Sequence, residues 1–225
     1  MTFKELTVGE FIQAVSEGTP TPGGGSVSAL TASLSSALVS MVGSLTAIRL
    51  QAKIAQESNA KASDTCCKNV DSNLLMLDTV STANELQVRL LALTDEDSEA
   101  YNKVIAAYRL PKSTEEEKRA RSSAIQDALE TACLVPAQVV KCALEVLRLS
   151  EILVDHGMKS ALSDVAVACL TAWAGMRGAY FNVRINLPSI KDEAFVKRVA
   201  DDVATCMSSG KAVFERVMAL VEEAL

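Results

Sequence analysis

Apolar positions along this chain recur at intervals of three and four, and no run alternates with period two for long enough to require a strand. Thr7-Val8-Gly9-Glu10 opens a short amphipathic helix whose expected inward side is Phe11, Ile12 and Val15. The cluster from Glu17 through Thr19-Pro20-Thr21-Pro22 to Gly23-Gly24-Gly25 breaks it. A helix without charge follows from about Ser26 to Ile48. In it Ser36, Ser40 and Ser44 recur every four residues beside a stripe of Ala29, Ser33 and Ala37, a spacing that lets helix backbones approach closely. From about Leu50 to Leu93 neither Pro nor Gly intervenes, and Ala62, Cys66, Asn69, Val70, Asn73, Leu74, Leu77 and Val80 predict one long helix.

Thr94, with Asp97 three residues on, predicts a fresh helix start. Ala100, Tyr101, Val104, Ile105 and Tyr108 make its stripe, and Leu110-Pro111 ends it. Ser113-Thr114-Glu115-Glu116-Glu117 opens the next helix by the same capping chemistry. Pro136 interrupts that pattern, which resumes as far as Asp155-His156-Gly157. Ser163-Asp164 opens an Ala- and Val-rich helix to about Ile185. Pro188 closes it, and a last amphipathic helix runs from about Asp192 to Leu225. The expectation is an all-α bundle of long helices, dimer-forming, in one domain spanning residues 1–225.

Composition sharpens this reading. Apolar residues make up 49% of the chain but aromatic ones only 4%, so the core mass lies in Ala, Val, Leu, Ile and Met. These suit closely packed helices better than a β-sandwich. The formal charge of −6 argues against nucleic acid as a partner. The uncharged stretch from Gly23 to Ile48 is long enough to span a bilayer, yet its serines and threonines lower its hydrophobicity. Burial inside protein is the expectation, with no membrane partner. Cys66, Cys67, Cys133, Cys142, Cys169 and Cys206 form no CxxC pair. Reduced thiols and a cytoplasmic location are expected, and the opening MTFKELTVGEF has no apolar signal core. His156 is the only histidine, so no metal site is expected.

Candidate chemistry begins at Pro22-Gly23-Gly24-Gly25-Ser26. Three glycines at a helix start leave bare amides for a flat or anionic ligand, or else make a tight turn between crossing helices. Ser163-Asp164 lies in an apolar region, as a helix cap or as a carboxylate facing a cation. Asp97 and Tyr101, one turn apart, carry the same two readings. Asn182 and Asn186 share one helix face and either cap the next turn or read a ligand's hydrogen-bonding edge.

Taken in order, Thr19 to Val27, Ser44-Leu45-Thr46, Asp97 to Tyr101, Leu110-Pro111, Val135-Pro136, Leu162-Ser163-Asp164 and Asn182 to Leu187 resemble the cyclodeaminase/cyclohydrolase family. That family comprises the C-terminal half of formiminotransferase-cyclodeaminase and stand-alone methenyltetrahydrofolate cyclohydrolases. The resemblance covers nearly the whole chain. It implies an all-helical fold, a homodimer or dimer-based oligomer, and a tetrahydrofolate derivative held as substrate in a groove near the subunit interface, with no further cofactor. On it rest the expected catalytic pair, Asp164 stabilising a cationic one-carbon unit and Asp97 handling the proton. The expected substrate-binding set is Gly23, Gly24, Gly25, Ser26, Tyr101, Ser163, Asn182 and Asn186.

Two departures from the family pattern redirect attention. Where relatives carry a Gly and a run of lysines after Leu-Thr, this chain reads Ala47-Ile48-Arg49-Leu50-Gln51-Ala52-Lys53, leaving Arg49 and Lys53 to hold a polyglutamate tail. The Gly-Asn upstream of Ser-Asp is here Gly157-Met158, one amide fewer. A stand-alone length favours water addition to the N5,N10-methenyl carbon. Ammonia elimination from a formimino group is the alternative. A non-catalytic folate-binding or protein-binding helical dimer is the alternative of another class.

Overall fold

Capping chemistry sets the first element. The Thr7 hydroxyl accepts from the Glu10 N–H at 3.3 Å, and the Glu10 carboxylate accepts from the Thr7 N–H at 2.8 Å, opening α1, Val8–Ser16. The computed structural model describes residues 2–57 and 64–225, apart from the side chains of residues 57 and 64–67. Among the described residues five further helices follow: α2, Gly24–Glu57; α3, Asp64–Tyr108; α4, Glu115–His156; α5, Leu162–Asn186; and α6, Glu193–Ala224. Short 3-10 turns punctuate them and no strand is present among the described residues. The chain is all-α, as the hydrophobic spacing predicts.

Three local expectations change. Thr94 does not cap a new helix: α3 runs through it, and its hydroxyl donates back to the Leu90 carbonyl at 3.3 Å. Leu90, Leu93 and Ala100 are buried on either side, so packing carries the helix across a sequence that favours a start. Pro136 does not interrupt α4, for a reason that matters at the site. On α1 only Phe11 is buried, packed edge-on against Phe3 at 6.1 Å, whereas Ile12 and Val15 face outward. Ala62 lies outside the described residues, as do the side chains of Cys66 and Cys67.

The hydroxyls of α2 explain how so uncharged a helix stays inside the protein. Ser33 and Ser36 donate to the Gln87 and Ala83 carbonyls of α3 at 3.0 and 2.7 Å, while Ser35 donates to the Ala168 carbonyl of α5 at 2.6 Å. Each uses a second lone pair on a helical carbonyl, contributing about 1 kcal/mol net where an unpaired buried hydroxyl would cost more. Small residues permit the approach. A Cβ on Gly175 would sit 2.7 Å from the Ser28 carbonyl oxygen. Although α2 is long and apolar enough to cross a membrane, half of its most apolar stretch is buried in this bundle.

These contacts fix direction. Gly24 lies beside Asn182, Ser35 bonds Ala168, and the Met158 N–H donates to the Thr46 hydroxyl at 3.1 Å, so α2 and α5 run antiparallel. Ser26 reaches Asp97 while Ser36 reaches Ala83, so α2 and α3 do too. One core, including Leu147 of α4, Met176 of α5 and Val217 of α6, holds the bundle together. One end of the molecule therefore gathers the start of α2, the latter part of α3 and the end of α5. The other gathers Thr46, Met158 and Asp164.

Candidate functional site

The glycine end holds a cavity of about 260 Å³. Gly23, Gly24 and Gly25 form one wall, Asp97 and Tyr101 of α3 another, and Asn182 and Asn186 of α5 a third. A Cβ on Gly25 would collide with the Asp97 carboxyl, so the missing side chain is what lets that carboxyl rest on the first turn of α2. The Ser26 hydroxyl donates to Asp97 Oδ2 at 3.0 Å and lies 3.0 Å from the Ser98 hydroxyl. Burial pushes the Asp97 pKa above its ordinary value, against the lowering effect of bonds from Ser26. A carboxyl displaced in that direction is suited to proton transfer.

The two carboxamides are oriented by their donors. Asn182 Nδ2 donates to the Gly178 carbonyl one turn back at 2.9 Å. Asn186 Nδ2 donates at 2.9 Å to the carbonyl of Ala132, in α4. That carbonyl needs a donor because its helical partner four residues on would be Pro136, which has no N–H. The proline thus leaves an acceptor, and the acceptor fixes an asparagine. Each bond uses one of the two N–H groups on Nδ2, so each carboxamide keeps a second donor and its Oδ1 acceptor for a ligand. Among the described residues no lysine or arginine lines it. The arrangement suits a ligand edge that both donates and accepts hydrogen bonds, with the Asp97 carboxyl favouring a cation beside it.

Gly23, Gly24, Gly25, Ser26, Asp97, Tyr101, Asn182 and Asn186 are therefore brought together. Four other expected residues are not. Asp164 is 18 residues before Asn182 on α5, about 27 Å along the axis and five whole turns away, hence on the same face. Ser163 is exposed beside it. Arg49 lies 25 residues beyond Gly24 on α2, about 37 Å away, with Lys53 a turn further. The reason is the antiparallel register: motifs adjacent in the expected site sit at opposite ends of straight helices.

Other chemistry is quieter. Burial raises the Cys133 and Cys169 thiols to about 11 and about 12, leaving them protonated and unreactive. Among the described residues no group of three His, Cys, Asp or Glu side chains is placed to hold a metal. A larger cavity of about 490 Å³ lies under α1, but its lining is mainly apolar and its Glu10 carboxylate is engaged in the capping box. Sequence reasoning missed Ser98, whose only signal was its place next to Asp97, and the partnership of Pro136, Ala132 and Asn186. A proline inside an otherwise helical pattern was the available clue.

A helical bundle that sets a half-buried carboxyl of raised pKa against a glycine-led helix start and two asparagine carboxamides has the parts of an acid/base site. The chain belongs to the formiminotransferase-cyclodeaminase family, whose profile matches residues 7–205. It is 33% identical over 216 residues to methenyltetrahydrofolate cyclohydrolase of Methylorubrum extorquens, a match covering 96% of both chains. It is also 33% identical to formimidoyltransferase-cyclodeaminase of Gallus gallus, there spanning 96% of this chain and 37% of the relative's length. The solved structure of formiminotetrahydrofolate cyclodeaminase from Thermotoga maritima matches with a TM-score of 0.80 at 28% identity, covering 98% of each chain. The resemblance drawn from the motifs is borne out.

Proposed function

We propose that this protein is a methenyltetrahydrofolate cyclohydrolase with Asp97 as its general base. The observation that carries the proposal is a half-buried carboxyl of raised pKa sharing with two asparagine carboxamides a cavity that no lysine or arginine lines among the described residues. Such a cavity favours the amidinium cation of the methenyl bridge and the donor edge of a pterin. The Asp97 carboxylate takes one proton from water as the water oxygen bonds to the bridging carbon. The C–N5 bond then breaks, the adduct's hydroxyl proton passes to N5, the formyl group stays on N10, and one proton is released. The hydroxyl and the backbone N–H of Ser26, in the first turn of α2, hold Asp97 in place. The substrate is the folate itself, with no additional cofactor. The full-length match to the cyclohydrolase of Methylorubrum extorquens supports water as the nucleophile.

A second reading is ammonia elimination from a formimino group, favoured by the cyclodeaminase relatives. There N10 attacks the amidine carbon and ammonia leaves, again through a tetrahedral carbon needing one acid/base group. Following methenyl absorbance and ammonia release with purified protein separates the two. Asp97→Asn should lower turnover about 100-fold or more in whichever reaction the wild type performs. A variant as active as wild type would remove Asp97 from the mechanism.

The working unit is a homodimer. Val27, Leu34, Met41 and Ile48 recur every seven residues as an exposed apolar stripe on α2, beside exposed Val167, Leu170, Phe181 and Ile185 on α5. A second copy packed on this face about a two-fold axis perpendicular to the helices would run its α5 antiparallel to the first. Because Asp164 and Asn182 share a face of α5, Asp164 of that copy would approach the first copy's Asn182. The expected role of Asp164 beside the cation is then met across the interface. The protein is cytoplasmic, in keeping with free thiols at Cys133, Cys142, Cys169 and Cys206. Neither nucleic acid nor membrane is a partner: the charge is −6, and the hydroxyls of α2 are occupied in the bundle.

A further inference from the structure

We propose that the Asp97 cavity continues into a trough that takes the anionic tail of the folate, with Arg109 of the same subunit as its carboxylate anchor; this rests on the folate reading above. A second cavity of about 420 Å³ adjoins the first, and the two share Pro20 and Tyr101 as a common wall. Ile105, Ala106 and Arg109 continue it. Asp97, Tyr101, Ile105 and Arg109 follow one another at intervals of four, so they trace one face of α3 and the turn just beyond it, about 18 Å from end to end.

The trough is polar in a definite sense. At one end stands the Asp97 carboxyl with the Asn182 and Asn186 carboxamides, and no lysine or arginine among the described residues. The middle is the Tyr101 ring with Pro20, Ile105 and Ala106, a surface for a flat aromatic linker. At the far end stands a guanidinium. A ligand that matches has a donor-rich or cationic head, an aromatic spacer and a carboxylate tail, in that order. A one-carbon folate is built in that order, and the polarity fixes its direction.

Arg109 is available for the task in a way its neighbour is not. Arg121 donates to the Tyr108 carbonyl at 3.1 and 3.3 Å and lies over the Tyr108 ring, closing the end of α3. Arg109 makes no ion pair among the described residues. Its planar fork suits bidentate binding of a carboxylate. Arg49 and Lys53, the cations expected from the sequence, stand about 37 Å or more along α2 and meet this pocket only if a second copy supplies them.

The test compares KM for methenyltetrahydrofolate with KM for the corresponding tetrahydropteroate, which lacks the glutamate. Arg109→Ala should raise the first about tenfold with kcat within about twofold, leave the second unchanged, and so erase the preference for the glutamate. Arg109→Lys should recover part of the loss, and Lys112→Ala, outside the trough, should do nothing. If the wild type turns over the folate and Arg109→Ala is indifferent to the glutamate, the tail lies elsewhere. It also lies elsewhere if Arg49→Ala with Lys53→Ala carries the whole effect. A wild type that acts on neither methenyl- nor formiminotetrahydrofolate sinks the folate reading itself, and this orientation with it.

Discussion

The two ends of the antiparallel bundle are built differently. At the glycine end, α2, α3, α4 and α5 converge on a cavity, and the half-buried Asp97 carboxyl is bonded by Ser26 and pushed up in pKa. At the opposite end, Asp164 is half-buried at the start of α5, beside exposed Ser163 and far from any acceptor pair. One end builds a pocket around its carboxyl, and the other leaves its carboxyl in the first turn of a helix. Helices of this length keep the two apart within a subunit, and only the homodimer proposed above would bring them together.

That contrast gives the largest expected effect. Asp97→Asn and Asp164→Asn are each expected to be nearly inactive alone. After mixing, denaturing and refolding together, half of the dimers are heterodimers, each with one intact site built from the unmutated halves of both copies. About a quarter of wild-type activity should return. A mixture that stays as inactive as its components would confine both residues to one subunit or remove Asp164 from the chemistry. Leu34→Asp, placed in the exposed stripe, should give monomers in light scattering and abolish the recovery.

A middle-sized effect concerns Asp97 and pH. Its folded pKa is raised by burial, so folding favours the protonated form. The associated stability is fully present below the ordinary carboxylate range and is lost as pH rises through the raised value. Asn mimics the protonated carboxyl. Asp97→Asn should therefore melt a few degrees higher than wild type at neutral pH, and the gain should vanish in acid. The acid limb of kcat/KM should lie above the usual aspartate range, because the base must be ionised. A limb at the ordinary value, with no melting difference at neutral pH, would mean that Asp97 is solvated.

Much of this was legible in the residues. Three-and-four spacing is enough to specify helices, and Thr7 and Thr114 cap as written because their partners lie three residues away in sequence. The triple glycine, Asp97, Tyr101 and the two asparagines were recognisable as chemistry and meet in one cavity. What was not legible depends on register. Nothing local to Thr94 says that Leu90, Leu93 and Ala100 will be buried on both sides of it and carry α3 through. Nothing local to Asp164 says that the antiparallel packing of α2 against α5 removes it from the glycines. Arg109, one residue beyond α3, gains its meaning only from the cavity shared with Tyr101.

Pro136 is the subtlest instance of that long-range dependence and carries the smallest prediction. By lacking an N–H it leaves the Ala132 carbonyl to Asn186, 54 residues away in sequence, and so fixes that carboxamide at the cavity wall. Pro136→Ala restores a helical donor to that carbonyl. The helix should gain slightly in stability while Asn186 loses its fixed orientation. KM should rise about threefold with kcat nearly unchanged, since a binding group is loosened and the proton-transfer group is not touched. Asn186→Ala should then add little on top of Pro136→Ala, because both undo the same fixed carboxamide. Fully additive losses in the double variant would show that the proline acts on the helix alone and not through the asparagine.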